Sequence, residues 1–243
     1  DYLKNIWAYR YHTLQGFQLK DGEKYRNIER RDVCRMRNII ESDFNTKVSI
    51  ARLSEIIYGE NEATIHFDPI KSYFNEITNK YDLETARAAF EEFVTLTYDR
   101  IDPEQTTFEH WRRTLYVWTA FSVAQIFDDI RVNDIALVFV SQTQGTGKTL
   151  IANALSKPAA ELDLLSEPDF EGGRESERKL YQNWILFDDE LSRRRKADVA
   201  AFKKYLSAKK VSFVEKYETN NITRQRICSF ILCGNDIEYL SEF

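Results

Sequence analysis

Scarcity sets the first limits on what this chain is. In 243 residues there are three cysteines, four prolines, eight glycines, three histidines and one methionine. Cys34, Cys228 and Cys233 do not have the spacing of a metal site. Cys228 and Cys233 share one apolar run, so buried, reduced thiols in a cytoplasmic protein are expected. His12, His66 and His110 are scattered, which suits structural roles better than a catalytic or metal-binding set. No stretch approaches the roughly 18 apolar residues of a membrane span, and the N-terminus has no signal-peptide pattern, so no membrane partner is expected. The chain starts at Asp1 and stops at Phe243 straight after a strand-like segment, and so reads as a piece of something longer.

What is present is an ordinary mixture, 43% hydrophobic and 30% charged, long enough for one large core or two modest ones. Net charge is −5, which alone argues against a general nucleic-acid coat. The distribution is uneven. Between Ser192 and Arg226 lie eleven Lys or Arg and three acids, a local balance of +8 that leaves −13 for the remainder. Such a block is an electrostatic address for a negative partner, the plain alternative being a solvated helix face.

Apolar spacing and the near absence of Gly and Pro predict a mainly helical region over residues 1–130, with helices near 28–40, 47–57, 82–97 and 108–127. In the last of these Trp111, Leu115, Trp118, Phe121 and Ile126 form an apolar stripe, expected to be core. From about Asp129–Asp134 the character changes, and strands alternate with helices. Strands are expected at 135–141, 184–187, 211–214 and 227–233, and helices at 148–156 and 197–207. Buried strands separated by helices imply an α/β core over 131–243 with a parallel sheet flanked by helices.

At the end of the first of these strands the apolar run Ile135–Val140 gives way to Gln144-Gly145-Thr146-Gly147-Lys148-Thr149. The glycines let the backbone curl so that its N–H groups point inward, and a helix starting near Lys148 aims its positive end at the same place. In a triphosphate-binding loop of this kind Lys148 reaches the β- and γ-phosphates and the Thr149 hydroxyl ligates Mg²⁺. The first glycine of the usual G-x-x-x-x-G-K-[ST] pattern is replaced by Gln142. A chance match in a loop is the alternative, and the strand–turn–helix context weighs against it.

The second strand ends in Asp188-Asp189-Glu190, where enzymes with such loops hold Mg²⁺ and activate water. Alternation suggests that Asp188 and Glu190 share a face with Asp189 opposed. The division of roles stays open: Asp188 and Asp189 are candidate metal ligands, and Asp189 and Glu190 candidate bases. Acids at this place also suit the cap of the helix that follows. The last strand ends at Cys233-Gly234-Asn235-Asp236, and an amide at Asn235 could orient the attacking water, though Asn-Asp is also ordinary turn chemistry.

The segments WILFDDELSRRRKADVAAFKKYLSAKKVSFVEKY (184–217) and TRQRICSFILCGNDIEYL (223–240) resemble the virulence-associated protein E family. Those proteins are P-loop ATPases related to superfamily 3 helicases, usually found in phage and mobile-element primase-helicases. The likeness includes Lys203 in the helix after the acids, Arg226 nine residues before Asn235, and the Gln-Gly-x-Gly-Lys loop. Weaker likeness extends upstream to FDPIKSYFNEI (67–77) and the helix containing Trp111. Departures are Gln142 and the Asp-Asp-Glu run where the family often has E-x-x-E.

The resemblance implies an AAA+-like P-loop NTPase core assembling as a homo-oligomeric ring, usually a hexamer, with ATP and Mg²⁺ between subunits. A neighbour's arginine completes each site, Arg226 and Arg224 being the candidates and Arg193–Arg195 a second choice. The stretch from Lys209 to Lys216, followed by Tyr217, would be a hairpin entering the central channel. Lys209, Lys210 and Lys216 would track the phosphates of single-stranded DNA and its aromatics would meet bases. The helical region 1–130 is then a possible oligomerisation collar, with a primase domain before Asp1 and a lid after Phe243 in the full-length protein. The function so implied is an ATP-dependent DNA translocase or helicase motor. The alternative is a nucleotide-dependent ring or switch scaffold that binds ATP and partners without moving DNA. A small-molecule kinase fits less well, because it leaves the basic block without a purpose.

Overall fold

A computed structural model describes residues 9–14, 16–21, 24–58, 66–100, 106–128, 131–143, 145–190, 196–214 and 221–235. The chain divides into two compact units, Asp1–Ser72 and Tyr73–Phe243.

In the first unit β1 (Tyr9–His12), β2 (Gly16–Asp21) and β3 (Lys24–Asn27) form an antiparallel meander followed by α1 (Arg30–Phe44) and α2 (Ile50–Tyr58). A two-residue strand, β4 (His66–Phe67), adds in parallel to β1. Leu19, Val33, Met36, Leu53 and Ile57 make the core. Both helices lie where apolar spacing predicts them, but the sheet does not announce itself. Its strands are four to six residues at most and carry Lys, Arg and Asp among their apolar positions, so no alternation long enough to count survives. The start of α1 is fixed by Asp32. Its carboxylate accepts from both Arg26 terminal nitrogens (2.7 and 2.8 Å) and from the Glu29 amide (2.8 Å). Those bonds, the arginine's above all, hold its pKa down at about 2.

The unit boundary falls within α3 (Pro69–Lys80), earlier than the change of character near residue 130. The second unit continues with α4 (Leu83–Tyr98) and α5 (Phe108–Phe127), capped by Asp82 and Thr107 accepting from the amides of Thr85 and His110. Then follow β5 (Ala136–Val140), α6 (Lys148–Glu161), β6 (Leu165–Ser166), α7 (Arg174–Gln182) and β7 (Ile185–Asp188). After these come α8 (Lys196–Ser207), β8 (Lys210–Val214), β9 (Asn221–Gln225) and β10 (Ser229–Gly234). Four strands form one parallel sheet in the order β5-β10-β7-β6, as the alternation of strands and helices predicts. β8 and β9 pair with each other as an antiparallel hairpin.

β10 is buried along all six residues, as a strand between two parallel neighbours must be. Phe230 and Leu232 face a cluster with Leu186, Phe202, Tyr205, Val211 and Phe213, while Ile231 and Cys233 are equally buried on the opposite pleat. α5 is tied to this sheet. The Trp118 indole donates to the Phe230 carbonyl (3.2 Å), and the Trp111 ring lies 5.9 Å from that of Phe139. The helix thus packs on the strands, and it also holds the preceding helix, through the Trp111 indole on the Thr97 hydroxyl (3.0 Å) and Arg112 on Glu91. Its stripe differs from expectation at one position: Trp111, Leu115, Trp118 and Ile126 are buried, but Phe121 is 37% exposed. At 100° per residue the stripe passes through Ser122 and Gln125 instead, two polar residues that apolar counting skips. α6 runs through Pro158 to Glu161, beyond the expected end at 156. The proline sits one turn from the C-terminus, where burial of Ala159 holds the last turn in place.

Candidate functional site

Parallel strands place their carboxyl ends at one edge of the sheet, and that edge gathers most of the residues picked out by their chemistry. The loop after β5 turns through Gly145 (φ 78°) and Gly147 (φ 92°), a left-handed backbone that side chains disfavour, and delivers Lys148 to the first position of α6. The strand inserted between the loop strand and the acid strand is β10. Its register sets Gly234 beside Val140 and Leu232 beside Asp188, so Asn235 emerges between the loop and the acids.

Two contacts join the three elements. The Lys148 Nζ donates to Asn235 Oδ1 and to the Ser141 carbonyl, both at 2.8 Å. The Thr149 hydroxyl donates to Asp189 Oδ1 at 2.7 Å. Lys148 makes no ion pair with a carboxylate among the described residues; both its partners are neutral. A cation held by neutral acceptors at the positive end of a helix is arranged to take an anion.

The three acids are not equivalent. β7 ends at Asp188, so strand alternation does not carry through to Glu190. Asp188 is buried and accepts from the Glu190 amide (3.1 Å), whereas Asp189 and Glu190 are exposed. Cys233 lies under this group, its thiol pushed up to about 12 by burial and then by the Asp189 and Asp188 carboxylates, against the opposing pull of Lys148. Among the described residues no three His, Cys, Asp or Glu side chains converge as a metal cage. The donors that do meet are one hydroxyl and one carboxylate, oxygen ligands of the kind Mg²⁺ takes while keeping several waters.

The structure corrects one expected role. Arg226 is fully buried, and its guanidinium donates to the carbonyls of Ala208 (2.8 Å), Cys228 (2.6 Å), Asn133 (2.9 Å) and Leu206 (3.1 Å). An arginine that reaches into a neighbour's site must project from the surface, so Arg226 holds its own fold together. Arg224, opposite Val211 in the hairpin, is exposed. Lys209 and Lys210 at the start of the hairpin are exposed as well, as is Lys203 on α8. Phe213 is not available to meet bases: it is buried and stacked on Tyr181, with centroids 5.1 Å apart. Gln144, Arg193–Arg195, Lys216 and Tyr217 lie outside the described residues. One neighbour of the loop carries no sequence signal. The Arg100 side chain, 47 positions before Gly147, lies against that glycine.

The model of the virulence-associated protein E-like domain matches residues 87–242, well over half of the chain. The chain belongs to that family. The match includes α5, the loop, the acids and β10, together with most of α4. No curated protein matches the sequence. Among solved structures, two of the apo A form of the NrS-1 C-terminal region are similar in fold to this family member, each at 14% identity. Each match covers 97% of this chain and 55% of the other, with TM-scores of 0.51 and 0.47, so the chain spans about half the length of those structures. Among the described residues no helix is long and apolar enough to cross a membrane.

Proposed function

We propose that this chain is the ATP-hydrolysing motor of a phage or mobile-element replication protein, an AAA+-like P-loop core that moves single-stranded DNA through a ring of copies, usually six. The observation that carries the reading is the convergence of Lys148 with Asn235 and of Thr149 with Asp189 at the carboxyl edge of a parallel sheet. Membership of the virulence-associated protein E-like family supports it.

In this reading the amides of Gly145, Thr146 and Gly147 cradle the phosphates, with Gln144 beside them, and Lys148 releases Asn235 to neutralise the β- and γ-phosphates. Mg²⁺, when bound, supplies charge neutralisation at the phosphates, and Thr149 and Asp189 would hold it. Glu190, exposed beside them, takes the proton of the attacking water, which the freed Asn235 amide orients. Asp188, buried and bonded to the Glu190 amide, positions the bend carrying both acids. Arg224 is the arginine offered to a neighbouring subunit, and Lys209, Lys210 and Lys216 track the phosphates of the strand.

The test is ATP hydrolysis with and without single-stranded DNA, using Lys148→Ala as the blank. Turnover stimulated by DNA and absent from the blank is expected. Glu190→Gln should bind ATP and not hydrolyse it. Replacing Lys209, Lys210 and Lys216 together should weaken DNA binding and flatten its logarithmic salt slope by about 2, from roughly 0.7 per phosphate contact on single strands. Tight ATP binding without turnover would instead mark a nucleotide-dependent scaffold, and failure to bind ATP would end the reading.

A further inference from the structure

We infer that Arg100 is a phosphate-binding residue of the same nucleotide site, supplied by this chain's own helical region; the inference rests on the reading of the loop as an ATP site. Arg100 follows the last turn of α4, and that turn is fixed. The Arg100 amide donates to the Thr97 carbonyl (3.2 Å), the Trp111 indole donates to the Thr97 hydroxyl (3.0 Å), and the Tyr98 hydroxyl donates to the Thr106 carbonyl (3.1 Å). From there the side chain reaches the phosphate loop. A β-carbon placed on Gly147 would meet Arg100 Cδ at 3.2 Å, Nη1 at 3.4 Å and Nε at 3.9 Å. Gly147 is required by its φ of 92°, and the arginine lies in contact distance of the space its missing side chain leaves open.

The electrostatics of this placement call for an anion. Arg100 is exposed, and among the described residues its guanidinium has neither an ion pair nor a hydrogen bond. It lies beside the N-terminus of α6 and its first residue, Lys148, so three positive features meet at one loop, and among the described residues neither Arg100 nor Lys148 forms an ion pair with a carboxylate. Within the same loop the Thr146 hydroxyl is buried with no hydrogen-bond partner among the described residues. A polyphosphate answers all of these at once: it neutralises the cations, and its oxygens suit the planar fork of a guanidinium. Because Arg100 acts within its own chain, it would serve a single subunit as well as a ring. A ligand on the loop would also engage the turn between α4 and α5.

The test compares Arg100→Ala, Arg100→Lys and Lys148→Ala with the unaltered chain. Affinities for a non-hydrolysable ATP analogue, ADP and adenosine are measured by titration calorimetry, with thermal unfolding as the check on folding. Arg100→Ala should weaken the ATP analogue roughly ten- to hundredfold, as expected for loss of a charged hydrogen bond. ADP should weaken less, adenosine should be unchanged, and Arg100→Lys should recover part of the loss. Equal weakening of adenosine would show that Arg100 only shapes the loop and would overturn the inference. So would unchanged ATP-analogue binding in Arg100→Ala while Lys148→Ala loses it, an outcome that leaves the ATP site itself standing. If the unaltered chain binds no nucleotide, the ATP site and the role of Arg100 fall together.

Discussion

Strand β10 carries a polar cluster at each end, and the two are built on opposite rules. At its amino end the Ser229 hydroxyl accepts from Gln125 Nε2 (2.8 Å) and Asn133 Nδ2 (3.0 Å), and the Asn133 amide donates to Gln125 Oε1 (2.9 Å). Arg226 closes the cluster on four carbonyls, and all four of these residues are at most 1% exposed. At the carboxyl end Asn235, Thr149, Asp189 and Glu190 are exposed, and the Lys148 ammonium rests on neutral acceptors. The first cluster spends its donors internally and has no place for a ligand. The second keeps charge at the surface on partners that an anion can replace. Burial separates the two more sharply than residue type does, since each holds an asparagine, a hydroxyl and a cation.

The largest effect that would sharpen this contrast is expected at Arg226. Arg226→Ala removes the guanidinium from four buried carbonyls and should cost about 3–5 kcal/mol in denaturant unfolding. Against a total stability on the order of 5–15 kcal/mol, that would leave the second unit marginal. ATP affinity, measured on the folded fraction, should not change. A variant of near-normal stability that has lost DNA-stimulated turnover would break the contrast and return Arg226 to the catalytic set.

A smaller effect separates the two asparagines. Asn133→Ala removes the side-chain amide that donates to the Ser229 hydroxyl and the Trp118 carbonyl in a dry core and should cost about 1–3 kcal/mol. Asn235→Ala, at an exposed strand tip, should change stability by no more than about 0.5 kcal/mol. Turnover should respond in the reverse order: Asn235→Ala slows it severely, while folded Asn133→Ala hydrolyses ATP at close to the normal rate. Equal losses of stability would make Asn235 a structural residue.

The two ends of β10 also differ in how well the sequence exposes them. Gly145, Gly147, Lys148, the three acids and Asn235 fall at strand ends in chain order, and a parallel sheet brings strand ends together. Local spacing therefore suffices to pick them out, but the pairings of Lys148 with Asn235 and of Thr149 with Asp189 are seen only in the structure. The buried cluster joins Gln125, Asn133, Arg226 and Ser229 through the insertion of β10 between β5 and β7, which no local pattern encodes. For that reason Arg226 looks like any other member of a basic block until its burial is seen. Arg100 is hidden for the same reason, as its tie to Gly147 spans the whole of α5 and β5. The short charged strands of the first unit fail differently, because four-residue strands carry too little periodicity to stand out from the helices that follow. Phe121 is a plain error of face, since a stripe counted only in apolar residues cannot register Ser122 and Gln125.

The smallest expected effect uses the two thiols that flank the contrast. Cys228 lies at the closed end, where burial raises its pKa although the Arg226 charge pulls the other way. Cys233 lies at the open end, where burial and two carboxylates push it from 9 to about 12. That shift lowers the thiolate fraction at pH 8 roughly a thousandfold, so Cys233 should resist iodoacetamide in the folded chain despite lying beneath an exposed site. Half-buried Cys34 should be alkylated first, as peptide mapping after partial labelling would show. The sign for stability follows from the same shift. The folded chain holds the Cys233 proton more tightly than the unfolded chain does, so this contribution is intact below pH 9 and is lost as pH rises from 9 toward 12. Alkylation of Cys233 ahead of Cys34 would mean that the open end admits reagent beneath Asn235, and the buried floor of the site would have to be redrawn.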